Sequence, residues 1–343
     1  MLQIWKGYQH GVDLGGWFSQ CDHTRERYDT FITRQDFAAI ASWGLDHVRL
    51  PVDHELLEDA SGRFLEEGAD RIQSALEACR EEGLNLVLDL HKAKGFSFDA
   101  GEAEEGFFER EEYQERFYRL WEELARRFSG YGDHVAFELL NEVTDQAYSG
   151  AWNRIADTCI GRIRAIAPDT CVLVGGYWNN SVDALQDLAL PRDGNVIYNF
   201  HCYDPLIFTH QGAPWVRGMD PAFRFSLTQP VKKLREETER FFGKPAPEFD
   251  GLDPEKPLGA DYFEKRLGKA VRVAGERGVR LYCGEYGVID RADPMDAARW
   301  YGAISQAFDH FGIGRAAWSY RQMDFGLTDA HMKDALPGIL PLL

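Results

Sequence analysis

The stretch His134-Val135-Ala136-Phe137-Glu138-Leu139-Leu140-Asn141-Glu142 decides the fold. Its first seven residues are a short apolar run, broken by one glutamate. A run of that length, without helical periodicity, reads as a strand buried on both faces. Its end is polar, an asparagine followed by a glutamate. Outward from it, the same kind of run recurs at Gly11–Gly15, His47–Leu50, Asn85–Leu90, Cys171–Gly175, Val196–Phe200, Arg280–Gly284 and Arg315–Ser319.

Between these runs the apolar residues fall at helical spacing. Ile72, Ala75, Leu76 and Cys79 form one stripe, and Phe117, Leu120, Trp121, Leu124 and Phe128 another. Trp152, Ile155, Ala156, Cys159 and Ile163 repeat the pattern, as do Trp300, Ile304, Ala307, Phe308 and Phe311. Thr33 with Asp36 three residues on resembles a capping box ahead of Phe37 and Ile40. Eight buried strands alternating with helices predict an α/β protein, a parallel sheet closed into a (β/α)8 TIM barrel. The competing open sheet usually carries a glycine-rich phosphate loop, and Gly11–Gly16 lacks that spacing.

The 343 residues fit a single catalytic domain over 1–343, a barrel of roughly 250 residues plus insertions. The longest irregular stretch follows strand six. Residues 204–261 are rich in proline and phenylalanine, carry Trp215, and leave room for a helix over Val231–Phe242. A segment of this kind inside a compact domain reads as an insertion forming part of a substrate cleft.

Composition excludes several functions. A net charge of −18 repels nucleic acid and anionic membranes but leaves neutral ligands unaffected. No stretch is apolar enough to span a bilayer. The six cysteines form no CxxC pair; Cys171, Cys202 and Cys283 fall on or beside strand runs and are expected to be buried free thiols. No HExxH, histidine cluster or nucleotide fingerprint is present, so no cofactor and no metal are implied. Met1–Gly7 lacks the features of a signal peptide. The expectation is a cytoplasmic monomer, or a secreted one if a leader has been removed. Aromatic residues make up 13%, with nine tryptophans, a surplus suited both to core packing and to sugar stacking.

The chemistry is expected at the C-terminal strand ends. Those ends carry Arg49, His91, Asn141-Glu142, His201 with Tyr203, Glu285 and Trp318. Each alone also reads as an ordinary loop or core residue. Together they point into one barrel mouth, which chance explains poorly. Two facing carboxylates suit glycoside hydrolysis, one protonated to assist the leaving oxygen and one ionised to attack the anomeric carbon. A separation of roughly 5–5.5 Å gives retention, and roughly 6.5–9.5 Å gives inversion.

In this order and on these strands, the set resembles the active site of glycoside hydrolase family 5. The flanking text agrees: Gly11-Val12-Asp13-Leu14-Gly15-Gly16-Trp17, His47-Val48-Arg49-Leu50-Pro51, Phe137–Val143 and Tyr282-Cys283-Gly284-Glu285-Tyr286-Gly287. The resemblance runs from about Gly7 to Asp324 and is strongest to compact single-domain clostridial endoglucanases. It implies Glu142 as acid/base and Glu285 as nucleophile, with Arg49 and Tyr203 holding Glu285. It further implies Asn141 on the sugar 2-OH, His91 and His201 lining the catalytic subsite, and Trp318 as its floor. Glu142 then needs a raised pKa, which the charge of Glu285 can supply.

Many relatives carry a second histidine where this chain has Lys92, which bears on substrate preference. Trp178 and Trp215 read equally as sugar platforms or loop packing, and Trp17 reads as structural. The expected substrate is a β-glucan polysaccharide or oligosaccharide, cut by a retaining endo-β-glucanase of cellulase or lichenase type. An exo-β-1,3-glucanase, a β-glucosidase or a β-mannan-acting enzyme shares the mechanism. A non-catalytic carbohydrate-binding barrel would have lost one carboxylate, and both are present.

Overall fold

The computed structural model describes residues 2–99, 102 and 104–343. Eight parallel strands close into a barrel in sequence order: β1 His10–Asp13, β2 His47–Asp53, β3 Asn85–Lys92, β4 Val135–Glu138, β5 Val172–Val174, β6 Val196–His201, β7 Arg280–Tyr286 and β8 Gly314–Ala317. The pairing of β1 with β8, Gly11 opposite Ala316, closes the ring.

The longer helices are α1 Arg34–Ser42, α2 Glu66–Glu81, α3 Glu111–Phe128, α4 Ser149–Arg164, α5 Val231–Phe242, α6 Ala260–Arg277 and α7 Pro294–Phe311. The stripes seen in the sequence are their buried faces; Ile72, Leu76 and Cys79 of α2 are buried, as are Trp300, Ile304 and Phe308 of α7. Asp36 returns to the Thr33 amide at 2.7 Å and so anchors the start of α1. The connection from β5 to β6 departs from simple alternation. It holds only a short turn at Tyr177–Asn180 and a 3-10 stretch at Val182–Asp187.

The barrel interior is layered. Val87, Ala136, Leu173, Ile197, Tyr282 and Ala316 form an apolar lower layer, closed from below by Trp5 stacked on Tyr8. Two residues further along the strands, the inward positions become Asp89, Glu138 and Asn199, all buried. The period of two along a strand thus places apolar residues below and polar ones above, under the mouth. The other core lies between sheet and helices.

In residues 204–261, Phe225, Leu227, Leu234 and Phe249 join that same outer core. The Leu227 amide donates to Asp296 of α7 at 3.1 Å, and the Phe249 ring stacks on Tyr262 of α6. All six cysteines are free. Cys202 and Cys283 are buried as expected, whereas Cys171 is only half-buried, because it lies at the barrel base beside the Arg280 guanidinium. No helix among the described residues is long and apolar enough to cross a membrane.

The strands differ from their sequence-based limits mostly at the upper ends. β4 ends at Glu138 and β8 at Ala317, while β2, β3, β6 and β7 run further than expected. Beyond β4 the backbone stays pinned. The Leu139 amide donates to Leu173 and the Asn141 amide to Leu90, so the chain reaches Glu142 without losing its place in the barrel wall.

Barrel closure depends on a close backbone approach at Gly314. A Cβ there would lie 2.0 Å from the Tyr8 carbonyl oxygen, which cannot swing away as a side chain would. Gly314→Ala is expected to lower stability by about 1–3 kcal/mol despite the gain in backbone rigidity, read as a drop in the urea midpoint at unchanged slope.

Candidate active site

At the centre of the polar layer lies Arg49, fully buried. Its Nε and Nη2 donate to the two oxygens of Glu138 at 2.7 and 2.9 Å. Nη1 reaches Asp13 at 3.0 Å and Glu285 at 2.8 Å. Nη2 also meets the Asn141 Oδ1 at 2.9 Å and Asp89 at 3.0 Å. One guanidinium is thus shared by four carboxyl groups. Burial pushes the Asp13 and Glu138 carboxyls up, and pushes Asp89 up to about 7, against the lowering pull of Arg49. Asp13 Oδ2 and Asp89 Oδ1 meet no donor among the described residues, as suits oxygens in a cluster that keeps protons.

Glu285 is delivered by a bulge. Phe200 pairs with Cys283 and His201 with Glu285, so Gly284 is the extra residue on β7. A Cβ on Gly284 would lie 2.7 Å from Asn199 Oδ1 and 3.1 Å from His201 Nε2. Only glycine permits this packing, and the bulge turns Glu285 inward beside Arg49. Its second oxygen accepts the Tyr203 hydroxyl at 2.8 Å. Burial, and next the charge of Glu285, raise the Tyr203 phenol well above its ordinary value, so it stays a donor.

A second bulge serves His91. Val52 pairs with Leu90 and Asp53 with Lys92, leaving His91 as the unpaired residue of β3. Its Nδ1 lies 2.5 Å from Asp89 Oδ2, and burial lowers its pKa, so the ring is neutral and hydrogen-bonded through Nδ1. The Trp318 indole lies parallel to it, with centroids 5.8 Å apart. Gly15 has no Cβ where one would sit 2.7 Å from that indole.

Glu142 follows Asn141 with φ of +41°, a left-handed backbone that a side-chain-bearing residue rarely adopts. One oxygen lies 2.8 Å from His201 Nδ1 and the other accepts the Asn179 amide at 2.9 Å. The Glu142 carboxyl is raised, mainly by burial; the expectation from sequence had placed the cause in the charge of Glu285. An oxygen of Glu142, an oxygen of Glu285 and a ring nitrogen of His201 all lie within 4.8 Å of one another.

All the strand-end residues singled out in the sequence therefore meet in one mouth. Asn141 presents its buried amide nitrogen without a partner among the described residues, its oxygen being held by Arg49. Trp178 stands half exposed beside Asn179 at the rim, and Trp215 packs edge-on to His210, which packs on Tyr203. Trp17 is buried, its indole N–H donating to the Tyr28 carbonyl. Lys92 is turned into an ion pair with Asp99 at 2.9 Å and Glu102 at 2.7 Å. Sequence reasoning missed Asp13, Glu138, Asn179, Asn180 and Asn199. The available signal was period-two spacing: Glu138 stands four residues before Glu142, and Asn199 two before His201.

Two groups could gather around a metal ion among the described residues, Glu142–His201–Glu285 and His23–Asp53–Glu55. Hydrogen bonds already engage the first. In the second, the bond to Asp53 raises His23 to about 10, which makes an ion pair.

A barrel mouth with two adjacent carboxyls, one ion-paired and one held by neutral donors, defines a glycoside hydrolase. The family model described as Cellulase (glycosyl hydrolase family 5) matches residues 6–324, and the chain belongs to that family. It is 47% identical to Cellodextrinase A of Ruminococcus flavefaciens over 310 residues, covering 90% of this chain and 84% of the relative. It is 35% identical to Endoglucanase C of Acetivibrio thermocellus over 341 residues, 98% of each chain. Among solved structures, a cellulose synthase subunit Z from Clostridioides difficile superposes with a TM-score of 0.76 at 23% identity, covering 97% of this chain and 99% of that one. A hyperthermophilic endo-β-1,4-glucanase solved with substrate gives 0.75 at 21% identity, covering 97% of each. These structures share the fold.

Removing Arg49 leaves Asp13, Asp89, Glu138 and Glu285 buried around no cation. Arg49→Met is expected to cost about 3–5 kcal/mol at neutral pH. Carboxyls whose folded-state pKa is raised contribute most below their unfolded value and lose that contribution as pH rises through the folded one. For Asp89 that window runs from its ordinary value to about 7. The deficit of the variant should therefore shrink as pH falls from neutral towards the ordinary carboxylate range. Urea unfolding of both proteins across that range checks it.

Proposed function

We propose that this chain is a retaining, endo-acting β-glucanase that cleaves β-1,4- and mixed β-1,3-1,4-glucans by double displacement. The carrying observation is the approach of the Glu142 and Glu285 oxygens to within 4.8 Å. A gap this short fits the direct-attack geometry of a retaining pair better than the wider separation of an inverting one. The substrate class rests on the cellodextrinase and endoglucanase relatives.

In this reading Glu285 attacks the anomeric carbon while Glu142 gives its proton to the leaving oxygen. The glycosyl–enzyme ester then forms, and the leaving sugar departs with that proton. Water next attacks the same carbon, giving its proton to Glu142 and releasing Glu285. Arg49 and Tyr203 keep the attacking group oriented by charge-assisted hydrogen bonds. The free amide nitrogen of Asn141 bonds the 2-OH, His91 and His201 line the subsite, and Trp318 floors it. Trp178, beside the acid, offers a stacking face to the leaving portion. Residues 204–261, with Trp215, form a wall of the cleft.

A second reading, action on short cellodextrins, draws on the 47% identity to a cellodextrinase. The two part on products. Endo action lowers the viscosity of lichenan or a soluble cellulose derivative ahead of reducing-sugar release; chain-end action reverses that order.

Glu285→Gln should abolish turnover while leaving the fold and cellodextrin binding intact, by calorimetric titration. Glu142→Ala should slow substrates with poor leaving groups far more than activated aryl glycosides, with azide restoring part of the rate as a β-glycosyl azide. Near-normal turnover in the first variant, or equal loss on both substrate types without rescue in the second, overturns the assignment. The pH–rate profile should be bell-shaped and report the pair together.

A further inference from the structure

Three consecutive residues after β5 adopt left-handed backbone: Trp178, Asn179 and Asn180, with φ of +51°, +57° and +55°. Such a turn is costly for residues with side chains and persists only where its surroundings hold it. Here the Asn179 amide donates to the Val143 carbonyl and the Asn180 amide to Gly176. The turn directs two adjacent side-chain amides at the catalytic pair. Asn179 reaches Glu142 directly, and Asn180, fully buried, reaches His201. The space for the Asn180 amide exists because residue 175 is glycine; a Cβ there would lie 2.2 Å from Asn180 Oδ1.

The Asn180 contact carries chemical information. Its Nδ2 lies 3.3 Å from His201 Nε2. With its Nδ2 facing the ring, Asn180 donates, and Nε2 accepts and carries no proton, while Asn180 Oδ1 is left without a partner among the described residues. The single proton of the neutral ring then sits on Nδ1, 2.8 Å from Glu142 Oε1 and 3.5 Å from Glu285 Oε2. An imidazolium would turn an Nε2–H against the amide N–H. We propose that Asn180 is a positioning residue that holds His201 as a neutral Nδ1–H donor, so that the proton needed by the leaving sugar resides on Glu142 and not on the imidazole. The proposal rests on the assignment of Glu142 as acid/base.

The alternative protonation shows why this matters. A charged imidazole 2.8 Å from Glu142 would favour its carboxylate, and the site would hold its proton on the wrong group. Burial works with Asn180, lowering His201 to about 4. The charged and titratable groups facing His201 and Glu142 are Arg49 from β2, His91 and Asp99 from β3 and its loop, Glu138 from β4, Tyr203 after β6 and Glu285 from β7. Glu285 and Glu138 favour an imidazolium, and Arg49 and His91 oppose it. Asn180 adds a contact that rejects the second ring proton by hydrogen-bond geometry.

The test uses the intact protein with nitrogen-labelled histidine. In the unaltered enzyme the His201 ring should show a protonated Nδ1 and a bare Nε2 near neutral pH. In Asn180→Asp the carboxylate accepts an Nε2–H, so both ring nitrogens should carry protons. The alkaline limb of the kcat/KM profile should then move down by at least about one pH unit. Hydrolysis of cellodextrins should fall more than that of an activated aryl glycoside. A protonated Nε2 in the unaltered enzyme overturns the proposal, as does an Asn180→Asp variant with an unmoved alkaline limb. Should that variant fail to fold, Asn180→Ala takes its place: losing the contact should let a protonated Nε2 appear in the ring spectrum, and a spectrum unchanged from that of the unaltered enzyme overturns the proposal. That spectrum is read without turnover, so its failure leaves the acid/base assignment standing. Full activity of Glu142→Ala, conversely, would remove the assignment and leave the tautomer in place.

Discussion

The site is organised around one buried cation. Arg49 is drawn from β2 into a ring of acidic groups contributed by β1, β3, β4 and β7, and it bonds to each. A guanidinium can do this because its donors spread in a plane and it cannot lose its proton. A lysine would supply one charge at one point. The cluster carries more acid than base, and burial raises Asp13, Asp89 and Glu138 within it. What the arrangement secures is position. Glu285, Asn141 and, through Asp89, His91 are fixed relative to one another by bonds to the same planar group. Errors in their mutual geometry would have to be made in concert.

Regular strands alone would not produce this mouth. Four irregularities re-aim its side chains: the bulge at Gly284, the bulge at His91, the left-handed backbone at Glu142, and that at residues 178–180. Each lies on the upper rim, where pairing runs out and a departure from ladder geometry costs least. Glycines at 15, 175 and 284 leave the space the neighbouring polar or aromatic groups occupy. Strain and small residues are thus spent at the site, while the lower barrel stays apolar and regular.

The barrel and most of the mouth were legible in the sequence. The strand count, the helix stripes and the polar strand ends are local patterns, and barrel closure converts them into one site without further information. The hidden part was of two kinds. Glu138, Asp13 and Asn199 sit inside strands, where a polar residue reads as an interruption of an apolar run; only the register reveals that such positions share a layer. Asn179 and Asn180 fall in a connection without periodicity, and nothing in Tyr177–Ser181 announces three successive left-handed residues. The fate of Lys92 was also illegible. Its position after His91 suggested contact with sugar, but its partners lie in the following loop, at Asp99 and Glu102.

Glu142 and Glu285 show how one residue type meets two environments at close range. Both lie near the floor of the same mouth, so general burial does not distinguish them. Their donors do. Glu285 bonds to a permanent cation and to a phenol that stays protonated, and both interactions favour a negative charge. Glu142 is held by an amide and a neutral imidazole, which orient it but offer no compensating charge in contact. The Asn179 bond lowers the Glu142 carboxyl only against a larger raising by burial, whereas a bonded guanidinium adds a full positive charge that favours the carboxylate. Under the proposed mechanism, an acid/base that gains and loses a proton in each cycle is best held by partners of the first kind, and a nucleophile that stays charged until it bonds carbon by the second. The difference between the two glutamates is thus set by which strand ends carry the arginine and which carry the amides.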